Sequence, residues 1–372
     1  MPDAAKSAHP LLQPGIEGRR SRLSIRRLRP GPAEDILMPI KLKPLHQQVI
    51  VVTGATSGNG LAITEQAIAH GARVVAVARN ADALDALRQR LSPDGTRLLT
   101  CVADVSDPVA LERAAVLAQD CLGGLDSWVN NAGVGTYGTL DQVPLADHRR
   151  VFDVNYFGTL HGGLIAARHL RAGGGAIVNV GSILGDRAIV QQGPYCATKH
   201  AVQALTDTLR MELERDGAPI SVTLIKPGAI DTPFPEHARN FMDNPPRLPP
   251  PLYVPEVVAD AVLFACAHPR RTLYAGGGGL LSSLLSRAAP RLADHIMEAV
   301  GPTAQQMPGD PGDPMRRDNL DSPRVDARRG SQPVHARRSS IALQLQKAPS
   351  PVMMLGLLGI GTALMLIGRR PR

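Results

Sequence analysis

The chain alternates short apolar runs with longer stretches of helical periodicity, and this order constrains the fold more than any other feature. Buried strands are predicted at 49–53, 74–78, 98–103, 125–129, 176–180 and 220–225. Helices are predicted near 60–70, 81–91, 108–122, 146–171, 194–215 and 255–267. A parallel crossover needs a connecting helix and is right-handed, so the alternation predicts an α/β fold with a doubly wound parallel sheet.

Composition and charge agree with a neutral, aliphatic core domain. Hydrophobic residues make up 44% of the chain but aromatic residues only 3%, so Val, Leu, Ile and Ala must fill the core. The net charge of +8 lies in the tails: residues 1–37 carry seven basic and four acidic side chains, and residues 301–372 carry eleven and five. A nearly neutral central domain argues against nucleic acid as a partner.

The four cysteines show no spacing typical of a metal site or a disulfide framework. We therefore expect buried, reduced thiols and no metal. The four are Cys101, Cys121, Cys196 and Cys266.

The segments outside the alternating region predict extensions of a single domain at 38–279. Residues 1–37 are rich in Arg, Pro and Gly and predict a disordered extension; a start at Met38 is the second interpretation. Residues 280–300 predict an accessory amphipathic helix that packs on the domain or touches a membrane surface. Residues 301–350 predict a disordered linker. The proline-rich insert at 231–254 is a candidate substrate lid, with an ordinary surface loop as the alternative.

An uncharged segment at 352–368 is followed by three arginines near the C-terminus. Its seventeen residues are at the short end of what spans a bilayer at about 1.5 Å per residue. We therefore predict a membrane anchor within 351–372. A non-spanning hairpin and a soluble interaction helix are the alternatives.

A glycine-rich turn follows the first predicted strand and precedes a helix. In the sequence Thr53-Gly54-Ala55-Thr56-Ser57-Gly58-Asn59-Gly60, the first glycine permits a tight turn and the second allows close approach of a pyrophosphate. The third glycine lets the helix pack closely on the sheet, and the helix N-terminus favours the anion. This context predicts a dinucleotide-binding loop.

The end of the second predicted strand bears on which dinucleotide binds. An acidic residue is usual there when the ribose carries free hydroxyls, but this strand ends in Ala78-Arg79-Asn80. Arg79 could pair with a 2′-phosphate, so NADP(H) is favoured over NAD(H). The alternative is that Arg79 is a solvated loop arginine.

A tyrosine and a lysine lie four residues apart in a predicted helix, after a serine at a strand end. Tyr195 and Lys199 share one helix face, so the ammonium can favour the phenolate and lower the tyrosine pKa. Ser182 follows the strand at 176–180 and can present its hydroxyl at the sheet edge. A tyrosine acid/base beside a serine donor is what reversible carbonyl reduction requires.

Taken together, these motifs resemble the short-chain dehydrogenase/reductase family over about residues 48–279, which implies a Rossmann-type fold. The resemblance also includes Asp104-Val105, Asn130-Asn131-Ala132-Gly133, Asn155, and Lys226-Pro227-Gly228 followed by Asp231-Thr232. It implies that Asn155, Ser182, Tyr195 and Lys199 are catalytic. The cofactor-binding residues that it implies are Gly54, Ser57, Gly58, Asn59, Gly60, Arg79, Asp104, Val105, Asn131, Ala132, Gly133, Tyr195, Lys199, Pro227, Gly228, Ile230 and Thr232.

The resemblance implies specific roles for several of these residues. Lys199 would bind the nicotinamide ribose and lower the pKa of Tyr195, and Asn155 would hold a water that links Lys199 to solvent. Thr232 would lie near the carboxamide of the nicotinamide. Helices that precede and carry Tyr195 often form dimer faces in this family, so a homo-oligomer is expected.

The sequence therefore predicts an NADP(H)-dependent oxidoreductase that interconverts a carbonyl and a secondary alcohol. Apolar residues beside Ser182 and the predicted anchor suggest a lipophilic substrate, although ordinary packing explains these residues equally well. The expected location is a membrane with the catalytic domain in the cytoplasm, and a soluble cytoplasmic enzyme is the alternative. Two other functions stay open: an NADP(H)-binding sensor or scaffold, and an epimerase or dehydratase that uses the same tyrosine.

Overall fold

Seven parallel strands form the central sheet in a computed structural model of the chain, which describes residues 40–307, 309–310, 315, 317–324 and 335–348. They are β1 (Val49–Thr53), β2 (Arg73–Ala78), β3 (Leu98–Val102), β4 (Ser127–Asn130), β6 (Gly175–Val180), β7 (Ile220–Pro227) and β9 (Thr272–Ala275). Their spatial order is β3-β2-β1-β4-β6-β7-β9. Two short strands, β5 (Thr136–Tyr137) and β8 (Arg239–Asn240), pair separately. The predicted doubly wound fold is confirmed.

Helices connect the strands and cover both faces of the sheet. They are α1 (Gly58–Ala69), α2 (Ala81–Leu91), α3 (Pro108–Leu122), α4 (Leu145–Phe152), α5 (Gly158–Leu170), α6 (Gly193–Arg215), α7 (Phe234–His237) and α8 (Pro255–Ala267). The single helix predicted over 146–171 is interrupted, because a π-helical turn at Asp153–Phe157 separates α4 from α5.

The core consists of aliphatic side chains on the two faces of the sheet. Every residue of β1 and of β7 is buried, as expected for strands covered by helices on both sides. One face packs against α1 and α8 and the other against α3 and α5. Trp128 is fully buried.

The four cysteines are free thiols. Cys101, Cys196 and Cys266 are buried, as predicted, whereas Cys121 is exposed.

The region after β9 differs from the sequence interpretation. The one helix expected at 280–300 is two helices, α9 (Gly277–Ala288) and α10 (Pro290–Ala304), because Pro290 begins a new helix at its first turn. The described parts of 301–350 pack on the domain rather than forming a linker. They include α11 (Ile341–Lys347), and Leu320 and Leu343 are only 0% and 1% exposed.

Two predicted segments lie outside the described residues: the N-terminal extension at 1–37 and the apolar segment at 352–368. Within the described ranges, the structure contains no helix with the length and apolar character needed to cross a bilayer.

Candidate active site

A single cavity at the carboxyl ends of the strands brings the two predicted motifs together. It lies where the strand order reverses between β1 and β4, the position at which open α/β sheets bind ligands. The glycine loop lines it together with Ser182, Tyr195 and Lys199. All predicted cofactor-binding residues line this cavity except Gly60, and all predicted catalytic residues line it except Asn155.

The glycine loop folds back so tightly that side chains are excluded from it. A Cβ on Gly60 would lie 1.9 Å from the carbonyl oxygen of Gly54, and one on Gly54 would lie 2.9 Å from the Cα of Ala132. Gly54 and Gly58 also have positive φ angles of 67° and 50°. Gly60 therefore acts from behind the cavity wall, since it lets α1 start against the end of β1.

Hydrogen bonds join this loop to the turn after β4. The hydroxyl of Thr53 accepts from the backbone N–H groups of Asn131 and Ala132 at 2.9 and 3.1 Å. The side-chain amide of Asn131 donates back to the carbonyl oxygen of Thr53 at 2.9 Å. These hydrogen bonds hold the glycine loop after β1 and the turn after β4 at a fixed spacing.

Tyr195 is half-buried in the first turn of α6 and its ring lies against the cavity. Burial raises the pKa of its hydroxyl, and the interaction with the Ser182 side chain offsets only part of that rise. The lowering of this pKa by Lys199 stays a prediction, and desolvation of the phenolate is the largest influence on the Tyr195 hydroxyl in this structure. The aromatic ring of Phe234 packs beside the ring of Tyr195, with ring centroids 5.1 Å apart.

Lys199 is buried beside Tyr195 and is held by the sheet. Its Nζ lies 5.5 Å from the centroid of the Tyr195 ring and donates a hydrogen bond to the carbonyl oxygen of Val180 at 2.9 Å. Burial lowers the pKa of its ammonium to about 8. Ser182 lies two residues after Val180, and its hydroxyl accepts a hydrogen bond from the backbone N–H of Leu184 at 3.1 Å.

Asn155 lies in the π-helical turn and acts on the loop that follows β4. Its Oδ1 accepts from the backbone N–H of Val134, and its Nδ2 donates to the carbonyl oxygen of the same residue, at 2.9 and 3.0 Å. Nδ2 also donates to the Thr198 hydroxyl at 3.0 Å. Asn155 therefore joins the cavity wall to the turn of α6 that carries Lys199.

At the far end of the cavity, Arg79 and Asp104 follow β2 and β3. The Arg79 guanidinium lies 3.9 Å from the Asp104 carboxylate, which also accepts a hydrogen bond from Arg150 at 2.5 Å. Arg79 donates to the backbone carbonyls of Leu320 and Asp321 at 3.2 and 3.1 Å, and also to that of Asn319. Arg79 is thus not a solvated loop residue, since chain segments more than two hundred residues apart meet at its side chain.

The opposite wall is formed by the segment after β7 and by the proline-rich insert. Pro227, Gly228, Ile230 and Thr232 line it, followed by Phe234, His237, Leu248 and Pro249 of the insert. A Cβ on Gly58 would lie 3.2 Å from the Thr232 side chain, so the glycine loop and this segment nearly touch. The insert at 231–254 therefore contributes to the site, as a lid would.

A buried ion pair supports the loop after Ser182. Lys226 and Asp186 are joined at 2.6 Å with side chains 4% and 2% exposed. Burial opposes ionisation of Asp186, but hydrogen bonds from Lys226 and Ser283 hold its pKa below the ordinary value. The loop that presents Ser182 is therefore fixed to the end of β7.

Several cavity residues belong to no local motif of the sequence. Asn319, Pro323 and Arg324 come from the C-terminal region and line the same cavity as the glycine loop. Gln192 lies just before α6, where neighbouring Gly193 and Pro194 give no indication of its role. Further lining residues of this class include Val134, Val154 and Ala229.

Comparisons with known proteins agree with this geometry. The family model described as short chain dehydrogenase matches residues 48–243. The chain is 44% identical over 264 residues to the uncharacterized oxidoreductase YxnA of Bacillus subtilis, covering 70% of this chain and 74% of that protein. It is 39% identical over 193 residues to the dehydrogenase/reductase SDR family member 7B of Bos taurus, covering 50% of this chain and 58% of that protein.

Among solved structures, the fold is similar to a short-chain dehydrogenase/reductase from Burkholderia phymatum crystallised in complex with NAD. The TM-score is 0.61 at 26% sequence identity, and the match covers 68% of this chain and 96% of that one. With the family model matching more than half of the sequence and the cavity uniting the glycine loop with Ser182, Tyr195 and Lys199, the chain belongs to the short-chain dehydrogenase/reductase family of oxidoreductases.

Proposed function

We propose that this protein interconverts a carbonyl compound and a secondary alcohol with a nicotinamide dinucleotide, and that it prefers NADP(H). The observation that carries the proposal is the shared cavity: Ser182, Tyr195 and Lys199 open into the same space as the glycine loop. A dinucleotide bound along that loop would end beside Tyr195, where hydride and proton transfer have to coincide.

The residues present fit a dinucleotide. Gly54 and Gly58 leave backbone exposed to the cavity at the N-terminus of α1, where N–H groups and the helix dipole favour a pyrophosphate. The cofactor would supply or accept the hydride, and the protein supplies position and electrostatics. Asn131, Ala132 and Gly133 would pass along the cofactor, and Thr232 would lie near its carboxamide.

Four residues would handle the proton and the substrate oxygen. Tyr195 would give a proton to the oxygen in reduction and remove it in oxidation, while Ser182 would orient that oxygen by a hydrogen bond. Lys199, with its pKa lowered to about 8, can exchange a proton near neutral pH, as a relay from solvent to Tyr195 requires. Asn155 would contribute a hydrogen-bonded water to that relay.

The preference for NADP(H) rests on the end of β2. No carboxylate follows Ala78 directly, and the guanidinium of Arg79 is at the cavity wall. The carboxylate of Asp104 lies 3.9 Å from this guanidinium and reduces the positive potential that a 2′-phosphate would meet. Substitution of Arg79 tests whether the preference depends on this side chain. Because Arg79 also donates to the carbonyl oxygens of Leu320 and Asp321, Arg79→Gln should weaken both cofactors somewhat. We expect the loss for NADPH to exceed that for NADH at least tenfold, and equal losses would contradict the preference.

A lipophilic substrate is consistent with the wall beyond Tyr195. This part of the cavity is lined by Ile183, Leu184, Ile189, Phe234, Leu248 and Pro249. The apolar segment at 352–368, if it attaches to a membrane, would raise the local concentration of such substrates. Fractionation of the full chain and of a chain lacking 351–372 tests the attachment: a full chain found only in the soluble fraction would contradict it.

The proposed function is tested by NADPH and NADH oxidation with a panel of aliphatic to steroidal ketones. We expect Tyr195→Phe to lower kcat by at least about a hundredfold with the dissociation constant of NADPH nearly unchanged, because acid/base catalysis contributes this much. Tyr137→Phe is the matched control, since Tyr137 is buried near Tyr195 but does not line the cavity. Equal activity of the two variants would favour a cofactor-binding sensor instead.

A homo-oligomer is also proposed. Helices α5 and α6 expose Leu164 and Met211, 46% and 56% accessible, on the face that the family resemblance assigns to a dimer. Light scattering of the wild type at several concentrations tests this, and a monomer at all of them would contradict it.

A further inference from the structure

Residues 317–324, here called the strap, cross the end of the cavity where Arg79 and Asn80 follow β2. The side-chain amide of Asn80 donates to the carbonyl oxygen of Arg324 at 3.1 Å. Towards the insert, the backbone N–H of Asn319 donates to the carbonyl oxygen of His237 at 2.9 Å. The strap therefore spans from the β2–α2 turn to the insert at 231–254, over the end of the cavity where the proposed pairing of Arg79 with a 2′-phosphate would place the adenosine.

One apolar side chain and two arginines fix the strap to the domain. Leu320 is 0% exposed and belongs to the core on the α3 side of the sheet. Its carbonyl oxygen accepts from Arg79 at 3.2 Å and from Arg150 at 3.1 Å. The strap is thus docked by burial of a leucine and by charge-assisted hydrogen bonds to its backbone.

An ion-pair cluster closes the strap against the insert. Arg239, in β8, pairs with Asp318 at 2.9 Å, with Asp321 at 2.8 Å and with Asp147 of α4 at 3.0 Å. These hydrogen bonds, that to Asp318 above all, raise the pKa of the guanidinium. The planar guanidinium joins three chain segments at one point, which a lysine could not do with the same geometry.

The inner side of the strap is part of the cavity wall. Asn319, Pro323 and Arg324 line the same space as Asn59, Arg79 and Asp104. The side-chain oxygens of Asn59 and Asn319 are both buried, and neither has a hydrogen-bond partner within the part of the chain that the structure describes. Such oxygens accept from amino or hydroxyl groups, which an adenine and its ribose both offer.

We propose that the strap is a wall of the cofactor site, in which Asn319 and Arg324 contact the adenosine half of the dinucleotide and the Arg239 ion pairs keep that wall closed. This inference rests on the proposed function, because it assumes that a dinucleotide occupies the cavity. A cofactor enclosed in this way leaves only after the strap releases. The strap thereby sets both the affinity for the adenosine half and the rate of cofactor release.

Leu320→Ala is the test, with Leu343→Ala as the matched control. Both leucines are buried in the C-terminal region, but Leu343 packs on the α8 side of the sheet, away from the strap. We expect Leu320→Ala to raise the dissociation constants of NADPH and of ADP-ribose about tenfold and to speed NADPH release by a similar factor. Nicotinamide mononucleotide, which lacks the adenosine, should bind as it does to the wild type.

Binding by Leu320→Ala that equals the wild type would overturn the proposal, as would an equal loss in Leu343→Ala or an equal loss for nicotinamide mononucleotide. If Leu320→Ala does not fold, the double variant Asp318→Asn/Asp321→Asn removes the two strap charges that pair with Arg239 and keeps the side-chain shape. We expect it to weaken NADPH several-fold, and unchanged binding would again overturn the proposal. A wild type that binds no dinucleotide would instead contradict the proposed function itself.

Discussion

Lys199 directs its ammonium to the carbonyl oxygen of Val180, at 2.9 Å, rather than to a carboxylate. The side chain is 5% exposed, so the charged form loses most of its hydration and gains one hydrogen bond in return. This imbalance lowers the pKa from 10.5 to about 8. The charged form of Lys199 therefore destabilises the folded state, and its protonation changes close to neutral pH.

The first prediction concerns the pH dependence of stability. Because the folded pKa is lowered, the unfolded chain binds more protons between about pH 8 and 10.5, and the contribution of Lys199 to the free energy of unfolding rises over that window. Relative to Lys199→Met, the wild type should gain about 2–3 kcal/mol between pH 7 and pH 10.5. Urea denaturation of both proteins at several pH values measures this difference.

Lys41→Met, at an exposed position, is the control for this prediction. Its free energy of unfolding relative to the wild type should change by less than about 0.5 kcal/mol over the same range. A pH-independent difference between wild type and Lys199→Met would show that the buried ammonium carries no such cost.

The second prediction tests the glycine loop by adding one methyl group. Gly60→Ala would place a Cβ 1.9 Å from the carbonyl oxygen of Gly54, and this backbone atom cannot move without opening the turn. We expect a loss of more than about 2 kcal/mol in stability and a loss of NADPH binding. Gly173→Ala is the matched control, because no atom lies within 4 Å of its added Cβ. Thermal unfolding and NADPH titration distinguish the two, and equal behaviour would contradict the tight packing.

Most of the fold could be predicted because its signals are local. Each buried strand is an aliphatic run and each helix has its own periodicity, so the alternation alone predicts the parallel sheet. The last strand, Thr272–Ala275, was missed because four residues with a half-exposed pattern give little signal. The π-helical turn at Asp153–Phe157 was also missed, since the sequence around it keeps helical periodicity on both sides.

The site could be predicted where its residues follow strands directly, and not where they arrive from far along the chain. The glycine loop, Ser182 and Tyr195 all belong to local patterns. The strap has a composition typical of a linker, and its docking depends on one leucine, Leu320, and on partners about eighty to two hundred and forty residues away, such as Arg79 and Arg239. Such pairings depend on the tertiary structure and leave no periodic pattern in the sequence.

The third prediction concerns the ion pair of Lys226 and Asp186. Asp186→Asn leaves a lysine that is 4% exposed without its carboxylate, and we expect a loss of about 3–5 kcal/mol at pH 7. The double variant Lys226→Met/Asp186→Asn should recover most of that loss, because no charge is left buried and the amide oxygen still accepts from Ser283. Urea denaturation of the three proteins forms the test, and a double variant no more stable than Asp186→Asn would contradict the explanation.

The fourth prediction compares two buried tyrosines that differ in hydrogen bonding. The hydroxyl of Tyr137 has no hydrogen-bond partner in the described part of the chain, whereas that of Tyr253 accepts from the backbone N–H of Gly277 at 3.1 Å. Tyr137→Phe should leave the free energy of unfolding unchanged or raise it by about 1 kcal/mol, because a buried hydroxyl without a partner is costly. Tyr253→Phe should lower it by about 1 kcal/mol, since it removes an acceptor. Urea denaturation at pH 7 measures both changes. A loss of unfolding free energy in Tyr137→Phe as large as that in Tyr253→Phe would mean that the Tyr137 hydroxyl is hydrogen-bonded in solution.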